Sequence, residues 1–568
     1  MRLWKKKSYR TDFLSPDEVF LDASEIPGFS RERFEGIIER PIASEAFLSF
    51  GALLFLFGLF LGGRTLWLQV VRSQELSQRA ERNFIQTTYI DPPRGVIRDR
   101  TGAVIASNEA FTDENGDIRY RRVVRHPFAY SHVLGFVGKI SKEDMKREKL
   151  VLGILEIGKA GLETRYNDRL QGVPGKRDEE LDATGAVVAR GILNPPKEGK
   201  DITTTLHAGL QEALWTRLSD TMNARGFVGG AGIVFSPRDG SVLALASVPS
   251  FDANAFARGL DSAEAKRIFS DERAPLLNRA VSSAFLPGSI IKPFIALAAL
   301  EEGTIDPLKS IYSDGALEFP DPFRPGEFSI FSDWKAHGYV DMRRAIAVSS
   351  NVYFYTVGGG FGDVEGLGIE KIKSWLLRFG LGSETGIDLD GEKTGFVPDP
   401  LWKKTAHPEN PIWRIGDTYH VSIGQGDLSV TPLGIARGLG VIATGGTMLT
   451  PHLVADVQIP QKDRLTLSEK NLQVVREGMR QAVANGGTAA AVSWTPFPIA
   501  GKTGTAEVGR KGRVHSWFMG YAPLDNPEIG VVLFLESGPR SNLVGASFVA
   551  SELFRWIVDN GGIEAIVR

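Results

Sequence analysis

Eighteen consecutive residues without a charge, Ala46 to Gly63, constrain this chain more than any other feature. Leu66, Trp67, Leu68, Val70 and Val71 extend the apolar character. At about 1.5 Å per residue the run crosses a bilayer core of roughly 30 Å if Arg64 snorkels and Trp67 sits at the interface. The competing reading is a buried core helix, but core helices are rarely apolar on every face over such a length. A cleaved signal peptide is disfavoured by the late start of the run and by the lack of a small-x-small site after it. The span is therefore expected at 46–71, behind an N-terminal segment 1–45. Arg31, Arg33 and Arg40 precede it, and Arg64, Arg72, Arg79 and Arg82 follow it, so local positive charge does not orient it.

A chain of 568 residues exceeds what one core usually covers, so further domains are expected beyond the span. Residues 73–90 are polar, with Leu76, Ala80 and Phe84 at helical spacing, as in a stalk. Short β-like runs then alternate with turns up to the break Asn194-Pro195-Pro196-Lys197-Glu198-Gly199. This divides the rest into a stalk and small β-rich domain, 72–200, and a large domain, 201–568. In the large domain a helix is predicted around Leu206–Met222, with β-runs at Ala231–Ser236 and Ser241–Ser247. Three more runs come at the far end, around Ile499–Val508, Val514–Tyr521 and Ile529–Glu536, before a helix from Leu543 to Val558. Strands from both ends with helices between them imply an α+β fold, one antiparallel sheet flanked by helices. The formal net charge of −2, with no basic run beyond Lys5-Lys6-Lys7, argues against nucleic acid as a partner. Cysteine is absent, which excludes disulfides, thiol catalysis and Cys₄ zinc, and the eight histidines show no metal-ligand spacing.

Chemistry concentrates in three short motifs: Ser289-Ile290-Ile291-Lys292, Ser349-Ser350-Asn351 and Lys502-Thr503-Gly504-Thr505. Each is weak alone, since Ser332-Asp333-Trp334-Lys335 also reads SxxK and Lys393-Thr394-Gly395 also reads KTG. Context separates them. Ser289 follows the turn Pro287-Gly288 and precedes Ile290, Phe294, Leu297 and Leu300 at helical spacing, so it starts a buried helix. Lys292 then shares its face and can meet it at hydrogen-bond distance. Ser332 lies among Pro320, Pro322, Pro325 and Gly326 without helical periodicity and is expected in a loop. Lys393 lies among turn residues, whereas Lys502 enters a predicted hairpin strand.

The ordered set SxxK, SxN, KTG resembles the penicillin-binding protein and serine β-lactamase superfamily, for which a closely similar set is known. Arg94-Gly95-Val96-Ile97-Arg98-Asp99-Arg100 with Gly102, and Gly158-Lys159-Ala160-Gly161-Leu162-Glu163, resemble the non-catalytic pedestal of class B penicillin-binding proteins. Gly416-Asp417-Thr418 with Ser422-Ile423-Gly424-Gln425-Gly426 resembles the elongation type more than the division type. The pedestal is short, because residues 109–131 alone separate Ala106-Ser107-Asn108 from His132-Val133-Leu134. A bifunctional class A enzyme is disfavoured for want of a glycosyltransferase-sized domain before residue 203.

The resemblance implies a peptidoglycan D,D-transpeptidase needing no cofactor, anchored with residues 1–45 inside and the catalytic domain on the outer side of the cytoplasmic membrane. Ser289 would attack the D-Ala-D-Ala amide of a stem pentapeptide, and β-lactams would acylate it as substrate mimics. A serine hydroxyl needs a neighbour to take its proton, and Lys292 serves only if burial and a second cation, Lys502, keep it neutral. Ser349 is the expected proton relay, directly or through water, and Asn351 an amide for the substrate backbone. Lys502 would anchor the terminal carboxylate, with Thr503 and Thr505 as donors. Gly504 leaves room for the substrate. The N–H groups of Ser289 and Thr505 are the candidate oxyanion hole. The implied partners are a membrane-embedded RodA-type glycosyltransferase and scaffold proteins of the elongation complex. The rival readings are a division-type enzyme, a β-lactamase or β-lactam sensor, and a non-catalytic scaffold for cell-wall synthesis.

Overall fold

A computed structural model describes residues 44–76, 84–147, 153–182, 184, 186–320, 326–456, 463–509, 512–542 and 545–568. Most of the N-terminal segment, Ala80 of the stalk, Pro322 and Pro325, residues 510 and 511 between two of the expected β-runs, and the first residues of the expected last helix lie outside these. The described chain forms two compact units. One contains the apolar helix. It runs Ser44–Leu66 and continues through a π turn, Trp67–Val71, with no residue buried. The guanidinium carbons of Arg64 and Arg72 lie 4.6 and 5.0 Å from the Trp67 ring centroid, so the aromatic and cationic residues cluster at one end of the apolar stretch.

The other unit takes in residues 87–180 and 187–568, so the pedestal and the large domain pack together. In the pedestal, Ile97–Arg98, Val104–Thr112, Ile118–Val124 and Ile202–Thr203 form a four-stranded sheet. The short interval after Asn108 is closed by the hairpin of its two longest strands, whose pairing runs from Ala106 with Val124 to Thr112 with Ile118. The two pedestal motifs meet in one buried ion cluster. Glu163 accepts from Arg94 at 2.8 Å and from Arg122 at 2.6 Å. Burial raises the Glu163 carboxyl pKa, but the two guanidiniums outweigh it and hold the group below its ordinary value. Asp99 ties the pedestal to the large domain by accepting from the N–H of Ala208, in the first turn of helix Ala208–Arg225.

The large domain is built on five antiparallel strands: β1 Gly229–Phe235, β2 Val242–Val248, β3 Ala500–Glu507, β4 Arg513–Ala522 and β5 Ile529–Pro539. Their order is β2-β1-β5-β4-β3, so the two ends of the chain are sewn together where β1 pairs with β5. Every residue of β1 and β2 is buried, which explains their near-continuous apolar sequence. Helices Ala208–Arg225 and Ala546–Asp559 share a core with one face of the sheet. Helices Lys292–Glu301, Pro432–Thr444 and Glu469–Val483 belong to the other core. β3 is left at the sheet edge, facing the start of the Ser289 segment.

Two expectations are corrected. Ser289 lies in a 3₁₀ turn, Gly288–Ile291, and the α-helix starts at Lys292 with Pro293 in its first turn, where a missing N–H costs nothing. Ser332 is not in a loop. It ends strand Phe328–Ser332, paired with Ala316–Pro320.

Candidate active site

The Ser289 segment is clamped from three sides. Phe285 exchanges backbone hydrogen bonds with Val430, the Trp517 indole donates to Leu286 O at 3.0 Å, and Gly288 N donates to Gly424 O at 2.8 Å. Gly288 has φ +54°, and a Cβ there would lie 2.4 Å from Thr505 O. Only glycine brings the turn this close to β3. Gly504 has a related constraint: its Cβ would lie 2.9 Å from both Ile290 N and Pro287 O. Its missing side chain therefore seats the Ser289 turn on β3, and it also lines the cleft.

Ser349-Ser350-Asn351 occupies the break between helices Met342–Val348 and Asn351–Gly359. Ser349 ends the first in a left-handed conformation, φ 61°, and Ser350 caps the second by accepting from Tyr353 N. A non-glycine residue in this region costs about 1 kcal/mol or more, and the bond from Ser350 N to Ala345 O helps hold it. The double reversal places Ser349 Oγ between two amines, 2.9 Å from Lys502 Nζ and 3.4 Å from Lys292 Nζ.

Both lysines are fully buried, at 0 % exposure. Lys292 Nζ also donates to Ser349 O at 2.8 Å and to Asn351 Oδ1 at 2.7 Å. With Asn351 Oδ1 taken by Lys292, its Nδ2 end donates to Ser332 O at 3.3 Å. Lys502 Nζ donates to Thr503 O at 2.8 Å. Burial pushes the Lys292 pKa down to about 7, against an opposing pull from the Asp333 carboxylate. Burial, reinforced by the neighbouring Lys292 cation, drives Lys502 well below the ordinary lysine value. Two charges cannot share this dry site at neutral pH without large cost, so one amine is a free base.

Above the lysines lies a cleft of about 860 Å³, lined by Ser289, Ser349, Asn351, Thr503, Gly504 and Thr505 together with an aromatic wall. The structure thus brings together all eight residues singled out from the motifs, with two departures in detail. Lys292 does not hydrogen-bond Ser289; its bonds go to Ser349 and Asn351, whose carbonyl oxygens are stronger acceptors than a hydroxyl. Lys502 lies beneath the cleft floor, where its Nζ bonds Ser349 and Thr503 O, so it meets the cleft through Ser349 and the strand edge and does not line it. The second SxxK pair is different. Ser332 also lines the cleft, but Lys335 is exposed with Nζ over the Trp334 ring at 4.5 Å. Lys393 lies exposed in a turn-rich segment.

Motif reading missed two groups. The aromatic wall comprises Phe331, Trp334 and Tyr355, with His420 beside them; Phe331 packs on Tyr419 with centroids 4.8 Å apart and on Tyr355 at 5.8 Å. The alternation Phe328-Ser329-Ile330 was a usable β signal, obscured by the prolines before it. Asp333 was hidden inside the second SxxK, and nothing in its local sequence marks it as buried.

The penicillin binding protein transpeptidase domain matches residues 230–559, and the penicillin-binding protein dimerisation domain matches residues 117–204. The chain belongs to the penicillin-binding protein transpeptidase family. It is 34% identical to the peptidoglycan D,D-transpeptidase MrdA of Haemophilus influenzae over 463 residues, 76% of this chain and 67% of that protein. The fold is similar to that of PBP2 from Helicobacter pylori in complex with MreC, with a TM-score of 0.70, 26% identity, and coverage of 84% of this chain and 99% of that one. It is equally similar, at a TM-score of 0.70 and 29% identity, to a chain of a peptidoglycan synthase complex described as coordinating polymerisation and crosslinking, covering 92% of this chain and 98% of that one.

Proposed function

We propose that this chain is an elongation-type peptidoglycan D,D-transpeptidase acting through an acyl-enzyme on Ser289. The observation that carries the reading is the Ser349 hydroxyl held between two buried amines beneath a serine that opens on a peptide-sized cleft. Ser289 Oγ attacks the carbonyl carbon of the penultimate D-alanine, and its proton passes to neutral Lys292, which exchanges a bond to Asn351 for one to Ser289. Such contacts are often looser before substrate binds. As the C–N bond breaks, the proton moves through Ser349 to the departing amine, and D-alanine leaves. An amine of a neighbouring stem peptide then attacks the ester, returns a proton along the same path and frees Ser289. Backbone N–H groups of Ser289 and Thr505 hold the oxyanion in each step. Thr503 and Thr505 hydroxyls, backed by the field of Lys502, receive the terminal carboxylate at the β3 edge.

On this reading the apolar helix, long and apolar enough to cross a membrane, anchors the chain in the cytoplasmic membrane, with the catalytic domain on the outer side and residues 1–45 inside. The partners are a RodA-type glycosyltransferase, which supplies the glycan strands, and scaffold proteins of the elongation complex. The similarity to PBP2 bound to MreC and to a synthase complex supports this assignment. Polymerised lipid II carrying stem pentapeptides tests the activity. Wild-type protein should release D-alanine and form crosslinked muropeptides, and Ser289→Ala should do neither. Crosslinking that persists in Ser289→Ala would refute the reading.

A further inference from the structure

Asp333 has no part in the reaction set out above, yet five residues converge on its carboxylate. Its side chain is fully buried, at 0 % exposure. Oδ2 accepts from Ser350 Oγ at 2.8 Å, from Val352 N at 3.1 Å and from Ser313 Oγ at 3.3 Å. Oδ1 accepts from Trp334 N at 2.9 Å and lies 3.5 Å from His337 Nε2. Its own N–H donates to Gly315 O at 2.8 Å. Val352 lies in the first turn of helix Asn351–Gly359, where N–H groups lack intrahelical partners and an anion is favoured by the helix dipole. Ser350 is committed in both directions, donating to Asp333 and accepting from Tyr353 N. A buried carboxylate without these donors would be costly, so turn and carboxylate hold each other.

We propose that Asp333 is a positioning residue for acylation: it holds the Ser349-Ser350-Asn351 break in the shape that puts Ser349 between the two lysines, and its charge keeps Lys292 basic enough to carry the proton taken from Ser289. This rests on the transpeptidase reading. A general base must not only be neutral; it must also retain the proton once transferred. Burial works against a charged Lys292, and the Asp333 carboxylate works for it. The other ionisable groups nearby are His337, held neutral by burial, and the Tyr355 hydroxyl, kept protonated by burial and by Asp333; Lys335 is exposed.

The test is the rate of penicillin acylation against pH for the full chain in detergent. Asp333→Asn keeps an acceptor oxygen and removes the charge. Its rising limb should move to lower pH by about half to one unit, because Lys292 loses the anion that favours its protonated form, and its plateau should fall several-fold. Ser350→Ala removes one bond to Asp333 and keeps the charge, so its plateau should fall while the limb stays in place. His337→Gln should also leave the limb in place. A folded Asp333→Asn whose limb is unmoved or moves to higher pH overturns the electrostatic half, and a Ser350→Ala with the wild-type plateau overturns the positioning half. Wild-type protein that acylates nowhere overturns both this proposal and the transpeptidase reading, whereas normal wild-type acylation with the wrong variant response sinks only the proposal.

Discussion

The Lys292 amine is a base because it is dry. Its pKa of about 7 is depressed from the ordinary 10.5, so the free base predominates above neutrality, and acylation should fall about tenfold per pH unit below the limb. The same depression has a stability signature of definite sign. Between about pH 7 and 10.5 the unfolded lysine still binds a proton that the folded one has released, so the contribution to stability rises with pH over that window. The melting temperature of wild type relative to Lys292→Met should therefore increase from pH 7 to pH 10; a flat difference would mean that Lys292 is not depressed. Lys292→Arg should lose acylation by about 10²-fold or more, since a guanidinium stays charged. Lys502→Arg keeps the cation and should lose less activity, while paying in melting temperature for a larger group at a fully buried position. Equal acylation rates in the two variants would count against Lys292 as base. At this scale the motifs were legible because SxxK, SxN and KTG carry the chemistry in the residues themselves. Asp333 was not, because its importance comes from burial and from Ser313, Ser350 and Val352, all remote or unremarkable in the local sequence.

Elements position the nucleophile through close backbone approach. Gly288→Ala would set a Cβ 2.4 Å from Thr505 O in a left-handed backbone, so the Ser289 turn must lift from β3. We expect a loss of acylation of about ten- to a hundredfold, consistent with the sensitivity of catalysis to displacements near 1 Å. Gly102→Ala is the control. It too has positive φ, 89°, but nothing lies within 4 Å of its Cβ, so only backbone strain of about 1 kcal/mol is added and the acylation rate should hold. Equal losses in the two variants, followed by stopped-flow labelling and thermal melts, would remove the steric argument. The sheet strands and the flanking helices were readable from apolar runs bounded by turn residues. Strand Phe328–Ser332 was not, since proline and glycine nearby outweighed a short period-2 alternation. The 3₁₀ start at Gly288–Ile291 was also unreadable, because helix type there is set by the clamp from Gly424 and β3, not by propensity.

For the whole molecule, the apolar helix has no buried residue, so the proposed synthase can be tested through it. In the proposed synthase the glycan is made by the partner beside this chain, and the apolar helix, exposed along its whole length, is the contact surface to test. Replacing residues 46–71 with an unrelated span should abolish co-purification with a RodA-type glycosyltransferase in detergent, while Ser289→Ala should leave it intact. Undiminished co-purification and glycan polymerisation with the swapped span would rule out the transmembrane contact. At this scale a single sheet drawn from both ends of the chain followed from the strand distribution, but the pairing of β1 with β5 did not. The joint packing of pedestal and large domain did not, because it depends on contacts such as Asp99 with Ala208 across more than a hundred residues.

Peptide mapping of the penicillin adduct by mass spectrometry tests the central assignment most directly, since two serines of SxxK motifs line the same cleft. The buried Lys292, one helical turn on from Ser289, predicts a single penicilloyl adduct on Ser289, absent in Ser289→Ala and retained in Ser332→Ala. An adduct on Ser332, or one that survives Ser289→Ala, would contradict it.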